Sequence, residues 1–142
     1  MDDRIENAAS IVVDVALKLH IDVGPGLLES VYEAVLEKRL VARDLKVDRQ
    51  MPIKVEIDNL IFPGAFRAEL MVNDCLIVDI KSVEMLLPVH GKQLLTYLRL
   101  MDLPLGLLIN FGGERLNQGL RRIVNNHITK RPRPFLPLCA FA

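Results

Sequence analysis

Hydrophobic residues recur at helical spacing in the first third of the chain. Between residues 3 and 20 the apolar positions repeat every three to four residues, and the segment DVGPG at 22–26 ends this helix because two glycines flank a proline. A second helix is predicted over residues 26–43. The buried stripe of the first helix comprises Ile5, Val12, Val15, Ala16 and Leu19, and that of the second comprises Leu28, Val31, Tyr32, Val35, Leu36 and Leu40.

A strand and a β-hairpin are predicted for the centre of the chain. Residues 47–58 favour a strand, and the segment NLIFPG at 59–64 interrupts the pattern. Residues 64–83 then read as two antiparallel strands joined by a short loop. The length of that loop sets which residues face each other.

The second half of the chain continues with a helix, a strand and a helix. Pro88 suits the first turn of a helix that we expect to end at about Met101, and the almost wholly apolar residues 103–112 predict a strand covered on both faces. A last helix is expected near residues 115–128, followed by a proline-broken segment. The order α-α-β-β-β-α-β-α predicts one α/β domain over residues 1–142, in which helices pack on a sheet.

The hydrophobic pattern decides the register of the hairpin. If the loop contained only Asn73 and Asp74, Glu69 and Asp79 would lie on opposite faces; if it also includes Cys75, they lie directly opposite each other. In the second register one face carries Ala68, Leu70, Val72, Leu76, Val78 and Ile80, and the other carries Glu69, Met71, Ile77, Asp79 and Lys81. This clean separation favours the three-residue loop.

Two carboxylates that face each other need a compensating charge, because like charges directly opposite are destabilising by about 0.2–1 kcal/mol. Lys81, on the same face as Asp79, is one source. A divalent metal ion between Glu69 and Asp79 is another, since Mg²⁺ prefers carboxylate oxygens completed by water and a substrate phosphate. Without a metal, one of the two carboxyls is expected to bind a proton more readily than a free carboxylate. The residues alone also permit an exposed face with solvated charges.

Two helices place polar residues near this hairpin. In the segment HGKQLLTYLRL, His90, Gln93 and Tyr97 share one stripe, which either overlooks the charged hairpin or forms a locally satisfied helix edge. For His90 we expect a capping or core role rather than contact with phosphate. The earlier helix contains a G-x-x-E-x-x-Y pattern, in which Glu29 either points into a cleft or interacts with the helix dipole.

The composition is that of a globular protein. Hydrophobic residues make up 51% and charged residues 25%, which excludes a disordered chain. The two cysteines, Cys75 and Cys139, form neither a disulfide framework nor a CxxC pair, so a cytoplasmic setting is expected. No apolar run approaches the roughly 18 residues of a membrane span, and we expect no membrane association.

The charge is unevenly distributed although its sum is zero. Residues 1–112 hold 12 Lys and Arg against 17 Asp and Glu, whereas residues 113–142 hold 6 against 1. A neutral chain is not typical of a dedicated nucleic-acid coat, but a local basic patch remains compatible with nucleic-acid binding. The basic C-terminal segment is therefore either solvated or in contact with phosphate.

Five segments in order resemble a known family. They are GLLESVY at 26–32, FRAELMV at 66–72, LIVDIKSV at 76–83, HGKQLLTYLRL at 90–100 and LGLLINFG at 105–112. Over about residues 5–125 the chain resembles the small bacterial GxxExxY proteins of the PD-(D/E)XK nuclease superfamily. Gln93 and Tyr97 also resemble the Q-x-x-x-Y motif of RecB-type members.

The resemblance implies a restriction-endonuclease-like core, with a central mixed β-sheet flanked by α-helices. The matching site positions are Glu29, Glu69, Asp79, Lys81, Gln93 and Tyr97. The three acids are the implied ligands of Mg²⁺ or Mn²⁺, Lys81 the implied catalytic cation, and Gln93 and Tyr97 the residues that would position the scissile strand. The implied function is metal-dependent hydrolysis of phosphodiester bonds in nucleic acid, with DNA the expected partner.

The acids depart from the family pattern. Glu69 stands where the strand acid is usually Asp, and Asp79 stands where the acid before x-Lys is often Glu. This exchange leaves open an alternative, a catalytically degenerate nuclease fold that binds nucleic acid or protein. A homodimer is also expected, because residues 134–142 are apolar and a small nuclease that cuts duplex DNA often uses two active sites.

Overall fold

The structure is a computed structural model that describes residues 1–126. Its elements are α1 (Asp3–Val23), α2 (Glu29–Val41), β1 (Val47–Ile57), β2 (Leu60–Val72), β3 (Leu76–Lys81), α3 (Pro88–Met101), β4 (Leu105–Asn110), a 3₁₀ turn (Leu116–Gly119) and β5 (Leu120–Val124). None of the helices in this part of the chain combines the length and apolarity needed to cross a membrane.

Within residues 1–126, five strands form one mixed sheet in the order β1-β2-β3-β4-β5. β3 and β4 are parallel, and the other neighbouring pairs are antiparallel. The parallel pair requires a crossover, which α3 supplies. The carboxyl ends of β3 and β4 therefore meet at one edge of the sheet. A central mixed sheet with flanking helices confirms the predicted restriction-endonuclease-like architecture.

Helices cover both faces of the sheet. The apolar stripe predicted for α1 is buried throughout, and together with α2 it packs on one face. α3 packs on the other face through Leu94, Leu98 and Met101. All six residues of β4 are buried, as expected for a strand covered on both faces.

The helix boundaries follow local chemistry. Asp2 caps α1 by accepting a hydrogen bond from the Arg4 N–H at 2.7 Å. α3 begins at Pro88 and ends at Met101, as predicted. α2 is shorter than expected, and two residues of its predicted buried stripe, Leu28 and Val31, are exposed. The buried face of α2 consists instead of Tyr32, Glu33, Leu36 and Leu40.

The prediction of a helix near residues 115–128 is wrong for the residues that the structure describes. A 3₁₀ turn is followed there by β5, which pairs with β4 from Leu120 opposite Ile109 onwards. The apolar residues have helical spacing, but Leu120 packs against the α1–α2 core and Ile123 against the α3 core. Pairing with the edge of β4 overrides the local pattern, and the strand conformation puts Leu120 and Ile123 on opposite faces of the sheet.

The predicted hairpin register is confirmed. Val72 pairs with Leu76 and Leu70 with Val78, so the loop comprises residues 73–75. The expected break at NLIFPG is largely wrong, because β2 begins at Leu60 directly after a two-residue turn. Both turn residues, Asp58 and Asn59, have positive φ, which is typical of a tight hairpin.

The prediction for the hairpin faces is wrong for one residue, Ala68. Ala68 packs in the α3 core with Phe66, whereas Leu70 packs in the α1–α2 core. Strict alternation would keep Ala68 and Leu70 on the same face. The β1–β2 ladder skips the position between these residues, where Gln50 would oppose Glu69, and Gln50 has a φ of 54°. β2 therefore changes faces at Glu69.

Candidate active site

A cavity of about 230 Å³ lies between β2, β3 and α3. It is lined by Arg67, Ala68, Glu69, Ile77, Asp79, Lys81, Gln93 and Tyr97. Five of the six predicted site residues thus come together. A larger groove of about 370 Å³ lies between α1 and β5, but its Glu6 and Arg122 pair with each other, so the smaller cavity is the better candidate.

Glu69, Asp79 and Lys81 form a charged triad in this cavity. Lys81 Nζ lies 2.9 Å from Asp79 Oδ1 and 3.8 Å from Glu69 Oε1. Glu69 Oε2 accepts a hydrogen bond of 2.7 Å from the Ile80 N–H. Asp79 is only 6% exposed, so the hypothesis of a solvated hairpin face is wrong.

The triad contains two carboxyl groups and only one cation, Lys81. Burial, with the neighbouring Asp79 charge adding to it, raises the pKa of Glu69 to about 8. This confirms that one carboxyl of the pair binds a proton unusually readily. Burial alone would lower the pKa of Lys81, but the hydrogen bond and charge of Asp79 outweigh it and raise that pKa. At neutral pH Lys81 is therefore charged and Glu69 is largely protonated.

Gln93 and Tyr97 reach the cavity from α3, one helical turn apart. The Tyr97 ring stacks on Phe66 with the ring centroids 3.9 Å apart and the planes within 4° of parallel. Burial, followed by the charge of Asp79, raises the pKa of the Tyr97 hydroxyl. Tyr97 is therefore a neutral hydrogen-bonding group held in place by an aromatic contact.

Glu29 is not part of the cavity lining. It is exposed at the start of α2, and its Oε1 accepts a hydrogen bond of 3.3 Å from the Ser82 N–H, just beyond β3. Ser82 Oγ also donates to Leu27 O at 2.7 Å. Glu29 lies close enough to Lys81 for its charge to contribute to the raised Lys81 pKa. The structure therefore places Glu29 beside the triad rather than within it.

Tyr32 of the same motif fixes the approach of α2. Its hydroxyl donates to Gly24 O at 2.6 Å and accepts from the Leu27 N–H at 3.2 Å, and its ring stacks on Phe111. These contacts hold the Gly24–Leu27 connection against the core and thereby orient the start of the helix that carries Glu29.

Neither His90 nor Cys75 reaches the cavity. His90 Nδ1 accepts a hydrogen bond of 3.0 Å from the Leu87 N–H, which confirms the capping role at the start of α3. Cys75 is buried in the α1–α2 core, where its thiol donates to Val72 O at 3.7 Å.

Two residues of the site were not predicted from the sequence. Arg67 lines the cavity. Strict alternation would group it with Glu69, two residues later, but in the structure the adjacent residues 67–69 all line the cavity because β2 changes faces at Glu69. Phe66 supports Tyr97, but no local pattern links two residues that lie 31 positions apart. Such a contact depends on how α3 crosses the sheet.

The donor set within residues 1–126 is limited. No three His, Cys, Asp or Glu side chains in this range lie close enough together to form a metal-binding group. The acidic side chains that line the cavity are Glu69 and Asp79. Of the three acids expected to bind a metal, the cavity thus contains Glu69 and Asp79, and Glu29 lies outside its lining.

A family comparison agrees with the geometry. Residues 6–123, well over half of the chain, match the family model of the PD-(D/E)XK nuclease superfamily, and this span contains every candidate site residue. Neither the curated proteins nor the solved structures gave a match to the chain. The chain therefore belongs to the PD-(D/E)XK nuclease superfamily.

Proposed function

We propose that the protein is a metal-dependent nuclease that hydrolyses phosphodiester bonds in nucleic acid, with DNA the expected substrate. The observation that carries the proposal is the pairing of Glu69 and Asp79 with Lys81 in one cavity. Membership of a nuclease superfamily supports a nucleic-acid substrate.

The cavity residues fit a hard divalent cation. Mg²⁺ commonly keeps several waters and binds through one or two carboxylates together with a substrate phosphate, so a third protein acid is not required. The raised Glu69 pKa indicates that the pair lacks one positive charge, which Mg²⁺ or Mn²⁺ would supply. Glu69 and Asp79 would hold the ion, and Glu29 would act through a bridging water.

Each remaining side chain has a role that follows from its chemistry. A bound divalent ion polarises a phosphate and lowers the pKa of water. Because its pKa is raised, Lys81 serves as a cation that stabilises charge developing on the phosphate, not as a base. Gln93 and Tyr97 would donate hydrogen bonds to the scissile strand, and Arg67 offers a charged fork that suits phosphate.

A second candidate function is a nuclease fold that binds nucleic acid or protein without cleaving it. The exposed position of Glu29, together with the two-acid lining of the cavity, favours this alternative. The two functions differ in one measurable property, since only the nuclease needs a metal for its action.

Replacing Asp79 with Asn tests the proposal. The change keeps the shape of the side chain and removes the repulsion on Glu69, which can then ionise and pair with Lys81. We expect Asp79→Asn to fold at least as stably as the parent in metal-free buffer. It should lose the stabilisation by Mn²⁺, which for the parent is about 2.7 kcal/mol at 100 times the dissociation constant, and any cleavage of labelled single- and double-stranded oligonucleotides.

The matched control is Asp58→Asn, the same change in the β1–β2 turn, outside the cavity lining. This variant should respond to Mn²⁺ and cleave as the parent does. A parent whose melting temperature does not respond to Mn²⁺ and that cleaves no oligonucleotide would reject the nuclease and leave the binding module. Loss of stability in metal-free Asp79→Asn would make Asp79 a structural residue.

A further inference from the structure

A buried carboxylate of α2, Glu33, lies outside the cavity lining and has no part in the proposed reaction. Glu33 is only 4% exposed. Its Oε1 accepts hydrogen bonds from Gln50 Nε2 at 2.8 Å and from Arg49 Nε at 3.1 Å. A buried carboxylate is costly unless it is paired and hydrogen-bonded, so these two contacts define its environment.

Gln50, the closer of the two partners, lies where the sheet is irregular. Its φ of 54° falls in the left-handed region, which is uncommon for a residue other than glycine and marks a constrained site. It is the position that the β1–β2 ladder skips, opposite Glu69. The Gln50 carbonyl accepts a bond of 3.5 Å from Arg67 Nη1, which links it to a second cavity residue.

Both strands change faces at this point. On β1, Val47 packs against the α1–α2 core, whereas Met51 and Ile53 pack in the α3 core. On β2, Leu70 and Ala68 show the same change. The odd-numbered residues of β1 and the even-numbered residues of β2 thus pass from one face of the sheet to the other, at Gln50 and Glu69 respectively. As a result, adjacent residues of β2 line the same cavity.

We propose that Glu33 is a positioning residue that acts through Gln50. By holding the Gln50 side chain, Glu33 keeps the left-handed turn of β1 that opens the ladder opposite Glu69. Glu69 is then free to turn its carboxylate to the Ile80 N–H and the cavity. This inference rests on the proposed function only for the role of Glu69 as a metal ligand. The position of the Glu69 carboxylate can be tested without metal or substrate.

The simpler role for Glu33 is to neutralise Arg49. Both donors bind the same oxygen, Oε1, but they belong to different side chains, so each contact can be removed without the other. Glu33→Gln keeps a carbonyl oxygen for Gln50 but removes the charge. Arg49→Met removes the ion pair but leaves the bond to Gln50. Glu33→Ala and Gln50→Leu each remove the hydrogen bond between Glu33 and Gln50, the first by deleting its acceptor and the second by deleting its donor.

The Ile80 amide resonance of the metal-free protein, at one fixed pH, reports the position of Glu69 directly. We expect Glu33→Ala and Gln50→Leu to move this resonance and to increase its hydrogen exchange, because the Ile80 N–H loses its carboxylate acceptor. Glu33→Gln and Arg49→Met should leave both properties unchanged. Should Glu33→Ala fail to fold, Gln50→Leu tests the same link with the buried carboxylate still paired to Arg49.

Mn²⁺ affinity, measured by calorimetry, provides the second readout. Loss of a group that orients a metal ligand typically weakens binding about 10- to 100-fold, and this is the change expected for Glu33→Ala and Gln50→Leu. An unchanged Ile80 resonance in both variants would overturn the proposal, as would Arg49→Met reproducing their effect. If the parent does not bind Mn²⁺, the proposed function fails while the Ile80 measurement still decides the positioning role.

Discussion

At the scale of single residues, Glu69 combines two opposing environments. The Ile80 N–H and Lys81 favour its charged form, whereas burial and Asp79 favour its protonated form and prevail. A carboxyl that prefers its proton in the folded state links protein stability to pH. This linkage gives the triad a signature that needs neither substrate nor metal.

The pH dependence of stability follows from that pKa. The folded value is about 8 and the ordinary value 4.5, so the folded state binds the proton more tightly. The contribution to stability is complete below pH 4.5 and is lost as the pH rises to about 8, with a slope of at most about 1.4 kcal/mol per pH unit. Urea unfolding of the metal-free protein between pH 5 and 9 should show this fall, and Glu69→Gln should remove it.

Glu56→Gln provides the control for that measurement. Glu56 is an exposed glutamate of β1 outside the cavity lining, so its replacement should leave the fall in stability unchanged. A parent protein that is equally stable at pH 5 and pH 8 would show that Glu69 ionises normally. The cavity would then not be short of positive charge, and the main argument for a bound cation would be lost.

Alternation along the strands was enough to predict the core of the site. The three-residue loop of the hairpin and the period of two placed Glu69, Asp79 and Lys81 on one face, and the structure has them in one cavity. The change of faces at Gln50 could not be predicted, because neither the positive φ of Gln50 nor its hydrogen bond to Glu33 of α2 has a local signal in the sequence. The same limit applies to Glu29, whose distance from the cavity depends on where α2 begins.

At the scale of elements, buried helices and strands were predicted more reliably than the last strand. α1, α3 and β4 each have a local pattern that agrees with their packing. β5 has a helical pattern but lies against β4, and strand pairing is a non-local interaction that periodicity does not report. The connection between β3 and α3 also depends on a non-local interaction, because it is hydrogen-bonded to the end of β4.

That connection is clamped to the end of β4. Asn110 Oδ1 accepts from the Val83 N–H at 3.0 Å, and Asn110 Nδ2 donates to Val83 O at 2.9 Å. Gly112 passes so close that a Cβ there would lie 2.1 Å from Val83 O. Because Val83 follows Lys81 by two residues, the clamp fixes the end of the strand that carries the triad.

Alanine at Gly112 should therefore destabilise the protein. Overpacking against backbone atoms cannot be relieved by a change of rotamer, and we expect a loss of about 1–3 kcal/mol in the free energy of unfolding. The neighbouring Gly113 is the control, since the nearest atom to its Cβ would be Arg115 O at 3.9 Å. Gly113→Ala should stay within about 0.5 kcal/mol of the parent in urea unfolding. Equal losses for the two variants would contradict the clamp.

At the scale of the whole molecule, the described part of the basic C-terminal segment is partly neutralised. Arg122 pairs with Glu6 of α1, and Arg121 Nη1 donates to the carbonyls of Gln118 and Leu120 at 2.9 Å. Arg115 is exposed, and the other cations of the segment fall outside the described residues. Solvated and phosphate-contacting roles for this segment thus both remain hypotheses, and salt-dependent oligonucleotide binding distinguishes them.

The apolar residues 134–142 also lie outside the described residues, so the predicted homodimer rests on their sequence. A contiguous apolar stretch favours burial against a partner, and two identical sites related by a twofold axis suit cleavage of both strands of a duplex. We expect light scattering to give twice the chain mass of 16.0 kDa. Deleting residues 132–142 should give monomer or aggregate. An unchanged mass and stability after the deletion would show that this segment holds no dimer together, and a parent mass of one chain would rule out the homodimer itself.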